Sequence, residues 1–99
     1  MQYFVIGDED TVLGFSLVGV YGIQATNPSE AKQAWEKALS DKENGIIIIT
    51  KPVADMIKSV VDKYLFTEMF PLVVIIPGPN GQKGEDLRLL VNEAIGVSL

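Results

Sequence analysis

The chain has 99 residues, 47% of them hydrophobic, and a formal net charge of −5, which suits a single globular domain and disfavours binding to nucleic acid. It contains neither cysteine nor histidine. Disulfides, thiol catalysis, the commonest general base and the commonest transition-metal ligand are therefore excluded. The apolar runs reach about five residues, against the ~20 that a membrane span needs, and no signal peptide is visible. We expect a cytoplasmic protein with no direct membrane insertion.

The first segment predicts a buried strand that leads into a helix through an acidic turn. Residues 3–6 are consecutively apolar and end at a glycine, which is typical of a strand covered on both faces. Asp8 and Asp10 are both candidates for the N-cap of the helix that follows. Together with Glu9 they could instead bind Mg²⁺ through oxygen. We favour capping, because three consecutive carboxylates cannot all point the same way.

The next two segments predict an edge strand and an amphipathic helix. Residues 20–24 alternate in polarity and contain a glycine, as expected at the edge of a sheet. Three signals then mark a helix start: Asn27 as the cap, Pro28 in the first turn and Glu30 three residues after the cap. The apolar stripe of this helix follows at helical spacing. It consists of Ala31, Ala34, Trp35, Ala38 and Leu39.

The middle of the chain predicts two more strands separated by one helix. Residues 46–49 are four isoleucines and residues 72–76 are again continuously apolar, so we expect Ile48 and Val74 to be covered on both faces. The helix between them begins at residues 50–52. The apolar residues of this helix keep helical spacing for three turns and form one stripe. It consists of Val53, Met56, Ile57, Val60, Val61, Tyr64 and Leu65.

A loop rich in proline and glycine, residues 78–84, separates this region from a last helix, Glu85–Ile95. Its glycines are spaced G-x-x-G-x-x-G and Lys83 precedes a glycine, so neither the dinucleotide pattern nor the ATPase phosphate loop is present. We interpret the loop as a hinge. The domain organisation predicted is an α/β domain in residues 1–77, a linker in 78–84, and a C-terminal helix and tail in 85–99. The stripe of the last helix is Leu87, Leu90, Val91, Ala94 and Ile95.

Strands and helices alternate throughout, which predicts an α/β fold with a four-stranded parallel sheet in the order 2-1-3-4. The result is a receiver- or flavodoxin-like three-layer sandwich with a C-terminal helix. Ligands of such folds bind where the first and third strands end. A phosphoacceptor receiver needs an aspartate after the third strand, where this chain has Thr50, and a lysine after a fifth strand that is missing. Lys51 follows the wrong strand. We predict no catalytic, cofactor-binding or metal-binding residue.

Several segments in order resemble the F subunit of archaeal and vacuolar-type rotary ATPases. The opening signature occupies residues 7–15 and continues in residues 17–20. Residues 46–50, 71–77 and 94–97 match later parts of the same pattern. The resemblance therefore covers nearly the whole chain. Ser16 departs from the pattern, since the family usually carries a larger and often charged residue there.

The resemblance implies a non-catalytic subunit of the central rotor stalk, bound to the coiled-coil D subunit and near the other subunits of the ATPase. It further implies a location in the cytoplasm, peripheral to the membrane. In the family the last helix packs along the stalk, which makes the stripe Leu87, Leu90, Val91, Ala94 and Ile95 a candidate partner-binding surface. The alternative for that stripe is packing against the chain's own fourth strand. The alternative for the whole chain is a degenerate receiver-like signalling or binding module without a phosphoacceptor.

Overall fold

The computed structural model describes residues 2–78. The predicted hinge beyond residue 78 and the C-terminal helix 85–95, with its whole stripe, lie outside the described residues. Strands and helices alternate as expected, except that the third helix is divided in two. The elements are β1 (Gln2–Gly7), α1 (Glu9–Ser16), β2 (Tyr21–Gln24), α2 (Pro28–Ser40), β3 (Asn44–Thr50), α3 (Lys51–Met56), α4 (Lys58–Thr67) and β4 (Leu72–Ile76).

The four strands form one parallel sheet in the order β2-β1-β3-β4, which confirms the predicted topology and places β2 at an edge. The register aligns Val5 of β1 with Ile48 of β3 and Val74 of β4. Side chains alternate between the two faces of a strand, so these three residues share one face of the sheet. Phe4, one position earlier, lies on the opposite face.

The face that carries Phe4 holds the main hydrophobic core. Phe4 and Ile6 of β1 and Ile47 and Ile49 of β3 are all buried there, beneath α2 and α3, and Val61 of α4 belongs to the same buried cluster. In the predicted stripe of α2, Ala31, Ala34, Trp35 and Ala38 are buried and Leu39 is partly buried. Trp35 packs edge-on against Tyr64 of α4, with 5.3 Å between the ring centroids. Among the described residues, the fully buried part of this core therefore lies between Phe4 and Val61.

The opposite face is covered only in part by the described helices. Val5 is fully buried where α1 packs on β1 and β2. Farther along the same face, Tyr3 is 50% exposed, Leu72 54% and Val74 39%. The expectation that Val74 is covered on both faces is thus wrong, because β4 is an edge strand and α1 lies at the other side of the sheet. Ile48, on an inner strand, is half-buried.

The single helix expected after β3 is broken at Ile57. This residue has φ −125° and ψ 39°, which ends α3 and begins α4. Val53, Ile57 and Val61 remain buried on both sides of the break, whereas Val60 and Leu65 of the predicted stripe are exposed. The predicted stripe therefore stays buried in part on each side of the break, and its exposed members lie in α4.

The start of α2 follows its sequence signals closely. The Asn27 side chain caps the helix by accepting a hydrogen bond from the backbone N of Glu30, at 2.9 Å. The Glu30 carboxylate in turn accepts from the backbone N and the Oγ1 of Thr26, at 2.8 and 2.7 Å. This reciprocal arrangement satisfies donors that the first turn of a helix leaves open.

Candidate functional site

The acidic turn after β1 is built around one carboxylate. Asp8 is the N-cap of α1: its carboxylate accepts hydrogen bonds from the backbone N of Thr11 at 3.1 Å and from its Oγ1 at 2.6 Å. Glu9 and Asp10 lie in the first turn of the helix and are exposed. The prediction that the turn serves as a cap is confirmed for Asp8. It is wrong for Asp10, because the extended residue that precedes the helix is Asp8.

The hydrogen bonds of the turn set the charge state of Asp8. Burial raises the pKa of its carboxyl, while the hydrogen bonds from the Thr11 side chain and backbone lower it. Weaker backbone interactions from Asp8 itself and from Asp10 act in the same lowering direction, and the net pKa lies below its ordinary value. The cap is therefore a carboxylate at neutral pH, at the end of the helix dipole where a negative charge is favourable.

The switch point between β1 and β3 brings Asp8 close to Thr50, as the topology predicts. A cleft of about 200 Å³ lies there. Its lining is Asp8, Ala25, Thr26, Thr50, Pro52, Val53 and Met56. Glu9 and Asp10 are absent from that lining, so the three predicted acidic residues do not converge on one point. Among residues 2–78, no group of three or more acidic, histidine or cysteine side chains is placed to hold a metal ion.

Lys51 does not face the acidic turn. Its Nζ contacts both carboxylate oxygens of Asp55, at 2.9 and 3.1 Å, in an exposed pair one helical turn apart. A receiver-type site needs a lysine beside the phosphoacceptor, and this lysine is occupied elsewhere. The geometry of residues 2–78 therefore agrees with capping by Asp8.

Gly78 is the one residue of the predicted hinge that the structure describes. It is buried, and a Cβ at this position would lie 2.6 Å from the Cδ and Cγ of Pro52. A glycine is thus required by the close approach of the chain to the start of α3. The candidate partner-binding stripe Leu87, Leu90, Val91, Ala94 and Ile95 lies beyond it and outside the described residues.

Exposed apolar side chains were missed by the sequence reasoning. Leu17 is 80% exposed and Val18 76%, at the end of α1. Phe66, in the last turn of α4, and Met69, between α4 and β4, are exposed almost completely. A signal was available for the first pair, because Leu17 and Val18 lie past the last helical turn and outside any apolar stripe. Met69 stands at helical spacing from Leu65 and so gave no such signal, whereas Phe66 lies outside the predicted stripe.

The fold and the site together define a parallel α/β domain in which the acidic turn after β1 caps α1. The family model for the ATP synthase (F/14-kDa) subunit matches residues 4–95 of this chain. The chain therefore belongs to the family of ATP synthase (F/14-kDa) subunits. Within residues 2–78, no helix has the length and apolar character needed to cross a membrane.

Named relatives agree with this assignment over nearly their whole length. The F subunit of the A-type ATP synthase of Pyrococcus furiosus is 38% identical over 108 aligned positions, covering 100% of this chain and 98% of the relative. The corresponding A-type protein of Methanothermobacter thermautotrophicus is 32% identical over 99 positions, covering 96% and 92%. The F subunit of the V-type ATP synthase of Clostridium botulinum is 29% identical over 98 positions, covering 96% and 93%.

Proposed function

We propose that this chain is a central-stalk (rotor) subunit of an A/V-type rotary ATPase or ATP synthase. In this role it binds the coiled-coil D subunit and helps to couple ATP hydrolysis or synthesis to ion transport. The observation that carries the proposal is the family match over residues 4–95, supported by relatives that are named as F subunits of A-type and V-type ATP synthases. The chain acts as an accessory subunit without catalytic residues of its own, in the cytoplasm and peripheral to the membrane.

The degenerate-receiver alternative has less support. Thr50 ends β3 where a receiver would have its phosphoacceptor aspartate, and Lys51 pairs with Asp55 rather than with the acidic turn. A signalling module of this kind would also have no reason to match a rotary-ATPase family along almost all of its length.

The partner-binding surface that we propose is the stripe of the last helix, residues 85–95. Five apolar side chains at helical spacing suit a groove along a coiled coil. They are Leu87, Leu90, Val91, Ala94 and Ile95. A competing site exists on the chain's own sheet, where Tyr3, Leu72 and Val74 are 39–54% exposed on the face beside α1. An experiment on the stripe must therefore distinguish loss of partner binding from loss of internal packing.

The primary experiment mixes the full chain with its cognate D subunit and measures the mass and stoichiometry of the product by light scattering after gel filtration. We expect a 1:1 complex. Failure of the two chains to form any complex would contradict the proposed function.

The surface is then tested with Leu90→Ser, for which Leu89→Ser is a matched control. Leu89 is the same residue type one position away and outside the stripe. We expect Leu90→Ser to weaken D-subunit binding, measured by titration calorimetry, and Leu89→Ser to have much less effect. Equal effects would rule out the stripe as the binding surface.

A truncation distinguishes the two possible roles of residues 79–99, which are binding to the D subunit and packing within the chain's own core. The buried core of the described residues lies in residues 4–61, so we expect a chain without residues 79–99 to remain folded but to bind the D subunit more weakly. The folded state is measured by circular dichroism and by the fluorescence of Trp35, the one tryptophan. Full affinity of the truncated chain would contradict the assigned surface, and global unfolding would assign the last helix to the core.

A further inference from the structure

The two edges of the sheet are built very differently. β2 is four residues long, contains Gly22 and ends in the polar Gln24, features that weaken an edge for pairing with another chain. β4 is Leu-Val-Val-Ile-Ile, a continuous apolar run without glycine or charge, which is the composition of a central strand. Yet within residues 2–78 no strand pairs with the outer edge of β4. An edge of this kind is a template for strand addition.

The sequence around β4 is symmetric about Val74. Pro71 and Pro77, which lack a backbone N–H, lie three residues before and three residues after it. If two copies of β4 are placed antiparallel about a two-fold axis at Val74, Leu72 opposes Ile76 and Val73 opposes Ile75. Every cross-strand pair is apolar, and the prolines limit the ladder to the same five residues in both copies.

We propose that the outer edge of β4 pairs with β4 of a second copy of this chain, giving a symmetric dimer with a continuous eight-stranded sheet. This inference is independent of the proposed function. A two-fold axis perpendicular to the sheet keeps each face on its own side, so the partly exposed Leu72 and Val74 of the two copies become neighbours. In the dimer, the outer edge of β4, which has no partner strand within residues 2–78, is paired in both copies.

The charge distribution favours contact between two copies at β4 over contact at other parts of their surfaces. Each chain has a net charge of −5, but no charged residue occurs between Met69 and Gln82. Two copies can thus meet at Val74 without opposing carboxylates. A five-residue strand pair buries less than the ~800 Å² per partner of a standard interface, so the dimer should be transient and depend on concentration.

The first test is sedimentation equilibrium of the full chain over a wide concentration range, with Val74→Lys compared with the unaltered protein. Two ammonium groups at the two-fold axis should repel, shifting the protein to monomer at every concentration. Tyr21→Lys is the matched control: it lies on the opposite edge strand, is 68% exposed and should leave the dimer unchanged. Thermal unfolding of each variant checks that it is folded.

The second test uses cysteine cross-linking, which is clean because the chain has no cysteine of its own. Opposed residues of an antiparallel pair have Cα atoms about 4.5–5.5 Å apart, within the range that a disulfide bridges. With diamide as oxidant, full-length Val74→Cys should form covalent dimers several-fold faster than Tyr21→Cys. Equal rates would overturn the proposal. So would a purely monomeric full chain, the result expected if residues 79–99 or another protein's strand occupy this edge.

Discussion

The carboxylate of Asp8 accepts two hydrogen bonds from one residue, the backbone N and the Oγ1 of Thr11, at 3.1 and 2.6 Å. This pair begins α1 and determines the direction in which the chain leaves β1. Among the described residues, Asp8 is the acidic side chain that lines the cleft at the switch point of the sheet, and this pair of hydrogen bonds engages it.

Loss of this cap should destabilise the protein measurably. We expect Asp8→Ala to lower the free energy of unfolding by about 1 kcal/mol, the usual effect of removing an N-cap side chain. Asp10→Ala removes an exposed side chain that does not cap, so its effect should stay below about 0.5 kcal/mol. Urea unfolding followed by circular dichroism measures both. An equal loss in the two variants would contradict the assignment of Asp8 as the cap.

The same carboxylate predicts a pH dependence. Because the folded-state pKa of Asp8 is below its ordinary value of 3.8, its contribution is fully present above that value and is lost as the pH falls through the folded pKa. The stability advantage of the unaltered protein over Asp8→Asn should therefore shrink in acid. Urea unfolding from about pH 6 down to about pH 2.5 measures the difference. A constant difference over that range would show that the charge of Asp8 does not contribute.

The acidic turn should not bind magnesium or a phosphoryl analogue. Asp8 is engaged by Thr11, Glu9 and Asp10 do not join it at the cleft, and Lys51 is paired with Asp55. Titration calorimetry of the full chain with Mg²⁺, alone and with beryllofluoride, should show only heats of dilution. A saturable heat that disappears in Asp8→Ala would instead restore the receiver hypothesis.

Truncation of core residues should distinguish the inner strand from the edge. Ile47 is fully buried, so Ile47→Ala should lower the free energy of unfolding by roughly 2–5 kcal/mol. Val74 is 39% exposed, and Val74→Ala should cost clearly less. Lys42→Ala, in an exposed turn, serves as the control and should change stability by less than about 0.5 kcal/mol. Chemical unfolding that gave Val74→Ala the larger loss would mean that this face is covered in solution.

Replacing Gly22 and Gly14 with alanine should change the stability of the protein in opposite directions. A Cβ at Gly22 would collide with the side chain of Val5 and lie 2.7 Å from its carbonyl oxygen, a backbone atom that cannot move away cheaply. Gly22→Ala should therefore be destabilising. At Gly14, in α1, a Cβ meets nothing within 4 Å, so Gly14→Ala should raise stability by up to about 1 kcal/mol through helix propensity. Thermal unfolding of both variants decides the matter, and a stabilising Gly22→Ala would contradict the close approach of β1 and β2.

Local sequence determined much of this domain. The cap at Asn27 and the helical spacing of the apolar residues are local features, so the start of α2 was predictable, and so was its buried face as far as Ala38. The strand order followed from alternation and from right-handed crossovers, which leave few arrangements for a chain of this size. The continuous apolar runs of β3 and β4 were recognised as strands for the same kind of reason, since period and residue type are local properties.

Tertiary structure alone decided the features that depend on distant neighbours. No glycine or proline between Val53 and Thr67 signals the break at Ile57, so the division of the helix could not be predicted from local residue types. The choice of Asp8 over Asp10 as the cap depends on where β1 ends against its neighbours. The exposure of Val74 likewise follows from its place beyond β3 and away from α1, because burial is set by which elements cover a strand and not by the strand's own composition.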